Sequence, residues 1–186
     1  MTPDSQLDLL FDPSLIPSAI QEQLGPDLHL RPLASDDFKR GHFDVLSVLT
    51  AAPQLTPKAY KDNFDELKAC AGTYFIIVIV DTSSDKIVGS GSVILERKFL
   101  RAAGLVGHIE DIAVSKAVQG KKLGLRIINA LEEIGRVRGC YKIILDCSDK
   151  NIPFYEKCGF KHKEFQMVRY MADPKDIAKS PASSKL

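Results

Sequence analysis

The chain has 186 residues, 45% of them hydrophobic and 26% charged, with a formal net charge of +1. That length suits one globular domain with a substantial core, and so balanced a charge argues against nucleic acid or an anionic membrane as a partner. No apolar run approaches the ~20 residues that span a bilayer.

The cysteines, Cys70, Cys140, Cys147 and Cys158, form no C-x-x-C pair, and no histidine cluster stands at zinc spacing, so no metal is expected. Cys140 and Cys147 end one apolar stretch, roughly 23 Å apart at ~3.3 Å per residue, too far for a disulfide. With no secretory signal pattern either, reduced thiols and a cytoplasmic setting are expected.

In chain order, residues 1–26 are short apolar clusters broken by Pro3, Pro13, Pro17 and Pro26, an extension that packs on the domain rather than founding it. Residues 28–32 suit a first strand. Ser35 is placed to cap a helix bearing Phe38, His42, Val45, Leu46 and Leu49 on one face. Thr56-Pro57 starts another, with Tyr60, Phe64, Leu67 and Ala71 inward and Gly72 at its end. The period then changes to that of strands over 73–80, 86–99 and 107–114, with Gly89, Gly91 and Gly104 marking bends or bulges.

The turn Gln119-Gly120-Lys121-Lys122-Leu123-Gly124 follows and opens a helix whose stripe is Leu123, Ile127, Ala130, Leu131, Ile134 and Val137. Gly139 ends that helix. Residues 141–147 suit a central strand, Asn151 can cap a short helix, and 160–171 suit a last strand. From residue 172 the chain has nothing to bury. The expected organisation is an extension (1–26), one domain (27–171) and a disordered tail (172–186). Its fold class is α/β, a mixed central sheet flanked by helices.

A basic, glycine-bearing turn at a helix start aims backbone N–H groups and positive charge at one place, which suits a phosphate or pyrophosphate. Gly124 costs roughly 1 kcal/mol of helix propensity against alanine, and a close approach of backbone to ligand would explain it. Neither G-x-x-x-x-G-K-[ST] nor G-x-G-x-x-G is present, which excludes the common triphosphatase and dinucleotide sites.

Glu110 and Asp111 interrupt the strand at 107–114. Neighbours in a strand face opposite sides, so one carboxylate points into the core unless a bulge re-aims it. An ion pair with Arg97, Lys98 or Arg101 would satisfy them, and so would an amine substrate. Asp146 poses the same question near a strand end. Tyr155 on the short helix suits a core role as well as a catalytic one. His42 is expected to be structural, and His108 is the histidine near the candidate site.

Gly107-His108-Ile109-Glu110-Asp111-Ile112-Ala113-Val114 followed by Gln119-Gly120-x-x-Leu123-Gly124 resembles the acetyl-CoA-binding core of the GNAT superfamily of N-acetyltransferases. The runs 140–147 and 151–160, with Glu96-Arg97-Lys98 and Leu49-Thr50, look like its eukaryotic glucosamine 6-phosphate N-acetyltransferase branch. The resemblance runs from about residue 28 to 170.

It implies acetyl transfer from acetyl-CoA to the sugar amine by direct attack, a step toward UDP-N-acetylglucosamine. By match, Ile112, Ala113 and Val114 hold the pantetheine arm, with the Ile112 N–H on the thioester carbonyl. Gln119, Gly120, Lys121, Lys122, Leu123, Gly124 and Leu125 hold the pyrophosphate, with Asn151, Glu156 and Lys157 also on the cofactor side. Tyr155 serves the departing thiolate, while Glu110, Asp111 and Asp146 surround the amine. Thr50, Lys98, Arg101, Tyr141, Lys142 and, less directly, Arg169 match substrate positions, where the cations suit a 6-phosphate. Ile112 touches both ligands. A homodimer with shared sites is implied. The residues alone also allow a GNAT enzyme for a protein lysine or polyamine, or a non-catalytic acyl-CoA-binding module.

The superfamily turn usually has glycine where Lys122 stands, so a positive φ there carries strain in this chain. The family's substrate arginine on the last strand aligns with Tyr170, one place after Arg169, and a one-residue shift reverses the face.

Overall fold

The computed structural model describes residues 1–118 and 120–171. The expected tail at 172–186 therefore lies outside the described residues, as does Gln119. Five strands pair in chain order: β1 (Leu28–Pro32), β2 (Tyr74–Asp81), β3 (Lys86–Arg97), β4 (Leu105–Val114) and β5 (Cys140–Leu145). The first four are antiparallel, and β5 joins β4 in parallel. Short turns suffice between β2, β3 and β4, whereas a parallel neighbour needs a crossover, which a helix supplies.

The helices are α1 (Ser18–Leu24), α2 (His42–Leu46), α3 (Pro57–Ala69), α4 (Leu100–Ala103), α5 (Leu123–Val137) and α6 (Ile152–Lys157). On one face of the sheet Ile127, Ile128, Leu131 and Ile134 of α5 are fully buried against Ile77, Ile79, Val93 and Ile109. On the other face Val45 of α2 and Phe64 of α3 pack on Val78, Val80 and Ala113. Each such side chain contributes about 1.5–3 kcal/mol by leaving water. α3 begins as its sequence predicts, with the Thr56 hydroxyl accepting from the Ala59 N–H at 3.2 Å and proline in the first turn.

The segment before β1 is built into both layers. Leu10 joins the α3 side and Ile20 of α1 the α5 side. Leu9 bridges Ala34, and the N-terminal ammonium reaches the Thr82 carbonyl.

Several expectations are corrected. No helix starts at Ser35, because Asp37 takes the Ala34 N–H and a buried, two-pronged bond from Arg31 at 2.8 and 2.7 Å. A 3-10 turn over Asp37–Arg40 results, and Gly41 at φ 82° separates it from α2. β5 is the sheet's edge rather than its centre, with Tyr141, Lys142 and Ile144 exposed. The Asn151 side chain makes no cap bond. Residues 161–170 form no strand and are exposed, although Gln166 reaches Asp146 beside the free edge of β5.

Candidate active site

The β3–β4 register slips between Ser90 and Ser92: Ser90 faces Ala113, but Ser92 faces Glu110. β4 thus carries an extra residue, and Asp111 takes it up at φ 55°. This is a β-bulge, and it answers the question posed by two adjacent carboxylates. Ile112 and Ile127 of α5 crowd the position a Gly91 Cβ would take, so Ile112 faces α5. Asp111 lines a cavity on the other face with Ser90 and Ser92. Glu110 precedes it on that face, in the alternation with His108. Both carboxylates are exposed, and among the described residues neither joins an ion pair, so the structural alternative with Arg97, Lys98 or Arg101 is not what forms.

β5 pairs β4 only as far as Ile109–Leu145, while β4 continues to Val114. Past that point the two strands part, leaving the β4 backbone from 110 onward with no β5 partner. Asp146 follows β5 directly and accepts from Gln166 Nε2 at 2.9 Å. Asp146 and Tyr155 line one cleft of about 830 Å3 along the outer edge of β5. Burial, then Asp111 and Asp146, push the Glu110 carboxyl above its ordinary value. Burial first, then Cys147, Cys158 and Glu110, raise the Tyr155 phenol, which keeps it protonated. Tyr155 also packs edge-on to Phe154, 5.1 Å between centroids.

The same sheet face changes character at its other end. Ile143 and Leu145 pack toward α5, so Lys142, Ile144 and Asp146 face away from it. Lys142 pairs in register with Val106, and Ile144 with His108. On β3 the Glu96 carboxylate receives both Lys98 and His108, the latter at 2.9 Å. Beyond lies the left-handed turn α4, where Arg101, Ala102 and Ala103 have φ of 56°, 52° and 61°. Tyr141 lies against Gly104, where an added Cβ would meet its ring at 2.9 Å. Lys98 and Lys142 thus stand toward one end of the face, with Arg101 and Tyr141 at the adjoining turn around Gly104, and Glu110, Asp111 and Asp146 toward the other. Four residues of strand separate the ends, about 13 Å.

The basic turn leads into α5 as expected. Gly120 has φ 92°, and Lys122 sits at φ 56° as N-cap with no side-chain bond to the helix. The first-turn N–H groups of this 15-residue helix are therefore open to an anion. Lys122 does adopt the strained conformation that its Cβ disfavours. At Gly124 the fold also limits a side chain: Phe154 Cζ lies 3.3 Å from where its Cβ would stand, so α6 packs close there.

Asn151, Glu156 and Lys157 are exposed around α6. Thr50 lies exposed between α2 and α3, and Arg169 lies exposed in the segment 161–170; among the described residues neither hydrogen-bonds nor ion-pairs with the cluster. Gln166 and the Glu96–His108 pair were not foreseen as a unit; their partners come from distant strands, and no local spacing signals them. Among the described residues no group of three or more His, Cys, Asp or Glu could hold a metal ion. Among them no helix is long and apolar enough to cross a membrane.

A mixed sheet whose bulged fourth strand parts from the fifth, beside a basic turn opening a helix, defines an acyl-CoA-dependent N-acetyltransferase. The Acetyltransferase (GNAT) family matches residues 37–160, and the chain belongs to that family. Glucosamine 6-phosphate N-acetyltransferase 1 of Dictyostelium discoideum is 48% identical over 147 residues, covering 79% of this chain and 93% of that protein. Its namesake from Oryza sativa subsp. japonica is 40% identical over 146 residues, 78% of this chain and 88% of that protein. The crystal structure of glucosamine-6-phosphate N-acetyltransferase from Arabidopsis thaliana superposes with a TM-score of 0.77 at 38% identity. It covers 79% of this chain and all of that one (100%).

Proposed function

We propose that the chain transfers the acetyl group of acetyl-CoA to the amine of glucosamine 6-phosphate, giving N-acetylglucosamine 6-phosphate. The observation that carries this reading is the division of one sheet face into an acidic end and a basic end. An amino sugar phosphate carries an ammonium and a phosphate, and is complementary to both. A lysine side chain or polyamine would leave Arg101 and Lys142 without a counter-charge among the described residues, Lys98 being held by Glu96.

Glu110, Asp111 and Asp146 hold the ammonium and favour its loss of a proton, and the raised Glu110 carboxyl is poised as the base. Lys98, Arg101 and Lys142 take the phosphate, with Tyr141 and Thr50 on the sugar side. The freed amine attacks the thioester carbonyl, whose developing oxyanion is met by the Ile112 N–H on the unpaired stretch of β4. Tyr155 gives its proton to the departing thiolate. The co-substrate's arm lies along Ile112, Ala113 and Val114, and its pyrophosphate at the turn 119–125, where Lys121 and Lys122 stand outside the open first turn of α5. Asn151, Glu156 and Lys157 border the same side.

A homodimer completes the site. The free edge of β5 and the segment 160–171 support this, with Phe165 87%, Met167 93% and Tyr170 68% exposed in the single chain. Apolar side chains at that exposure need a partner surface, and exchange of this segment between the two chains brings Arg169 or Tyr170 to the partner's substrate. No helix long enough to anchor the described residues in a membrane accompanies this soluble-substrate chemistry, and a cytoplasmic setting accords with its cysteines being unpaired.

The test is thiol release from acetyl-CoA with glucosamine 6-phosphate, glucosamine and a lysine peptide, together with sedimentation equilibrium. Turnover confined to the phosphorylated sugar, by a dimer, is the expected result. Equal turnover of free glucosamine or the peptide would discard the phosphate site.

A further inference from the structure

A second cavity, of about 280 Å3, lies between the sheet and the helices α2 and α3. Ile76 and Ile94 are in its floor, and Leu46, Phe64 and Leu67 in its roof. Its buried polar groups already satisfy one another: His42 Nδ1 lies 2.9 Å from the Tyr60 hydroxyl and Nε2 3.3 Å from Ser90 Oγ. Burial brings His42 down to about 4, so the ring is neutral. The exposed residues Asn63 and Asp111 also line it, but Leu46, Phe64, Leu67, Ile76 and Ile94 make its inner wall largely apolar, which suits an apolar group.

Asp111 lines this cavity. It is the bulge residue, adjacent to Ile112 and to the point where β4 parts from β5. The cavity therefore begins beside the place where the acyl carbonyl stands in the reaction proposed above, and the inference rests on that reading. We propose that this cavity takes the alkyl chain of acyl donors larger than acetyl. The chain then transfers short saturated acyl groups, of about three to six carbons, from acyl-CoA to the same amine. A cavity of about 150 Å3 already holds the six carbons of benzene, so the space is sufficient. The step balances as for acetyl: the N–C bond forms, the C–S bond breaks, the amine nitrogen gives up a proton and coenzyme A leaves as the thiol. Each buried methylene favours binding by about fourfold, whereas a pocket closed behind the methyl group discriminates by about 10–200-fold per methylene.

The test compares acetyl-, propionyl-, butyryl- and hexanoyl-CoA with glucosamine 6-phosphate, by kcat/KM and by calorimetric binding. It uses the parent chain and two cavity-filling variants, Leu67→Phe and Ile94→Phe, each checked for its thermal transition. Expected are propionyl and butyryl transfer within about tenfold of acetyl, and a loss of at least tenfold for butyryl-CoA in a folded variant that keeps acetyl transfer within about twofold. If acetyl transfer proceeds but butyryl transfer is below about 1% of it, the cavity does not serve the donor. Butyryl transfer untouched by both variants overturns the assignment equally, since the chain then lies elsewhere. Absence of acetyl transfer in the parent would instead strike the functional reading beneath.

Discussion

His108 Nε2 lies 2.9 Å from one Glu96 carboxylate oxygen while the other holds the Lys98 ammonium. Glu96 of β3 thus ties His108 of β4 to Lys98, two residues further along its own chain, and Lys98 with His108 holds its carboxyl below the ordinary value. In the proposed function Glu96 is a positioning residue that aims Lys98 toward the sugar phosphate.

Glu96→Gln weakens both bonds and releases Lys98. The expected outcome is a rise of about tenfold in KM for glucosamine 6-phosphate, with kcat within about twofold. Steady-state kinetics with the sugar phosphate varied decides it. A fall in kcat at unchanged KM would place Glu96 in the chemistry instead.

Tyr155→Phe removes the phenolic proton while keeping the ring against Phe154. A general acid contributes about 10²–10⁴-fold, so kcat should drop at least 100-fold with little change in either KM. Stopped-flow thiol release reports the step directly. A rate within twofold of the parent would remove the phenol from the mechanism.

Asp111→Gly relieves a side chain held at φ 55°. Left-handed backbone costs about 1–2 kcal/mol for residues with a Cβ, and less for aspartate, so the variant should be about 0.5–1 kcal/mol more stable to urea. Its kcat/KM should fall at least tenfold, because one carboxylate of the acidic end is gone. Stability lost rather than gained would mean that the bulge is not strained.

His42 stays neutral in the fold, its value lowered from 6.5 to about 4 by burial. Below 6.5 the unfolded chain binds a proton that the folded chain does not, so stability falls as pH drops through that window. The loss amounts to about 3 kcal/mol at most, at 1.36 kcal/mol per pH unit. His42→Asn, which keeps a polar partner for Tyr60, should flatten the decline between pH 6.5 and 4 in urea titrations. An unchanged slope would assign the acid sensitivity to other groups.

The sequence by itself was sufficient wherever local chemistry decides. Thr56-Pro57 capped a helix, the stripe from Leu123 to Ile134 was buried although its expected last member, Val137, is exposed, and the turn before it adopted positive φ at Gly120 and Lys122. Motif order along 107–124 and 140–160 was enough to assign the family, because those residues lie close in sequence to the groups they serve. The helix expected at Ser35 failed for the opposite reason. Asp37 found Arg31 and the Ala34 N–H, and a buried two-pronged charge pair outweighs a helix cap worth about 1 kcal/mol.

Only the tertiary structure decided where the charges meet. Glu110 and Asp111 share a face because a register slip between Ser90 and Ser92 puts an extra residue into β4. Lys142 and Asp146 flank that face because a parallel crossover sets β5 beside it. The cavity behind Asp111 exists because α2 and α3 leave space over Ile76 and Ile94. Periodicity reports which residues leave water, a property of each segment alone. Register, bulges and cavities depend on how separate segments are packed together, and no single segment carries that information.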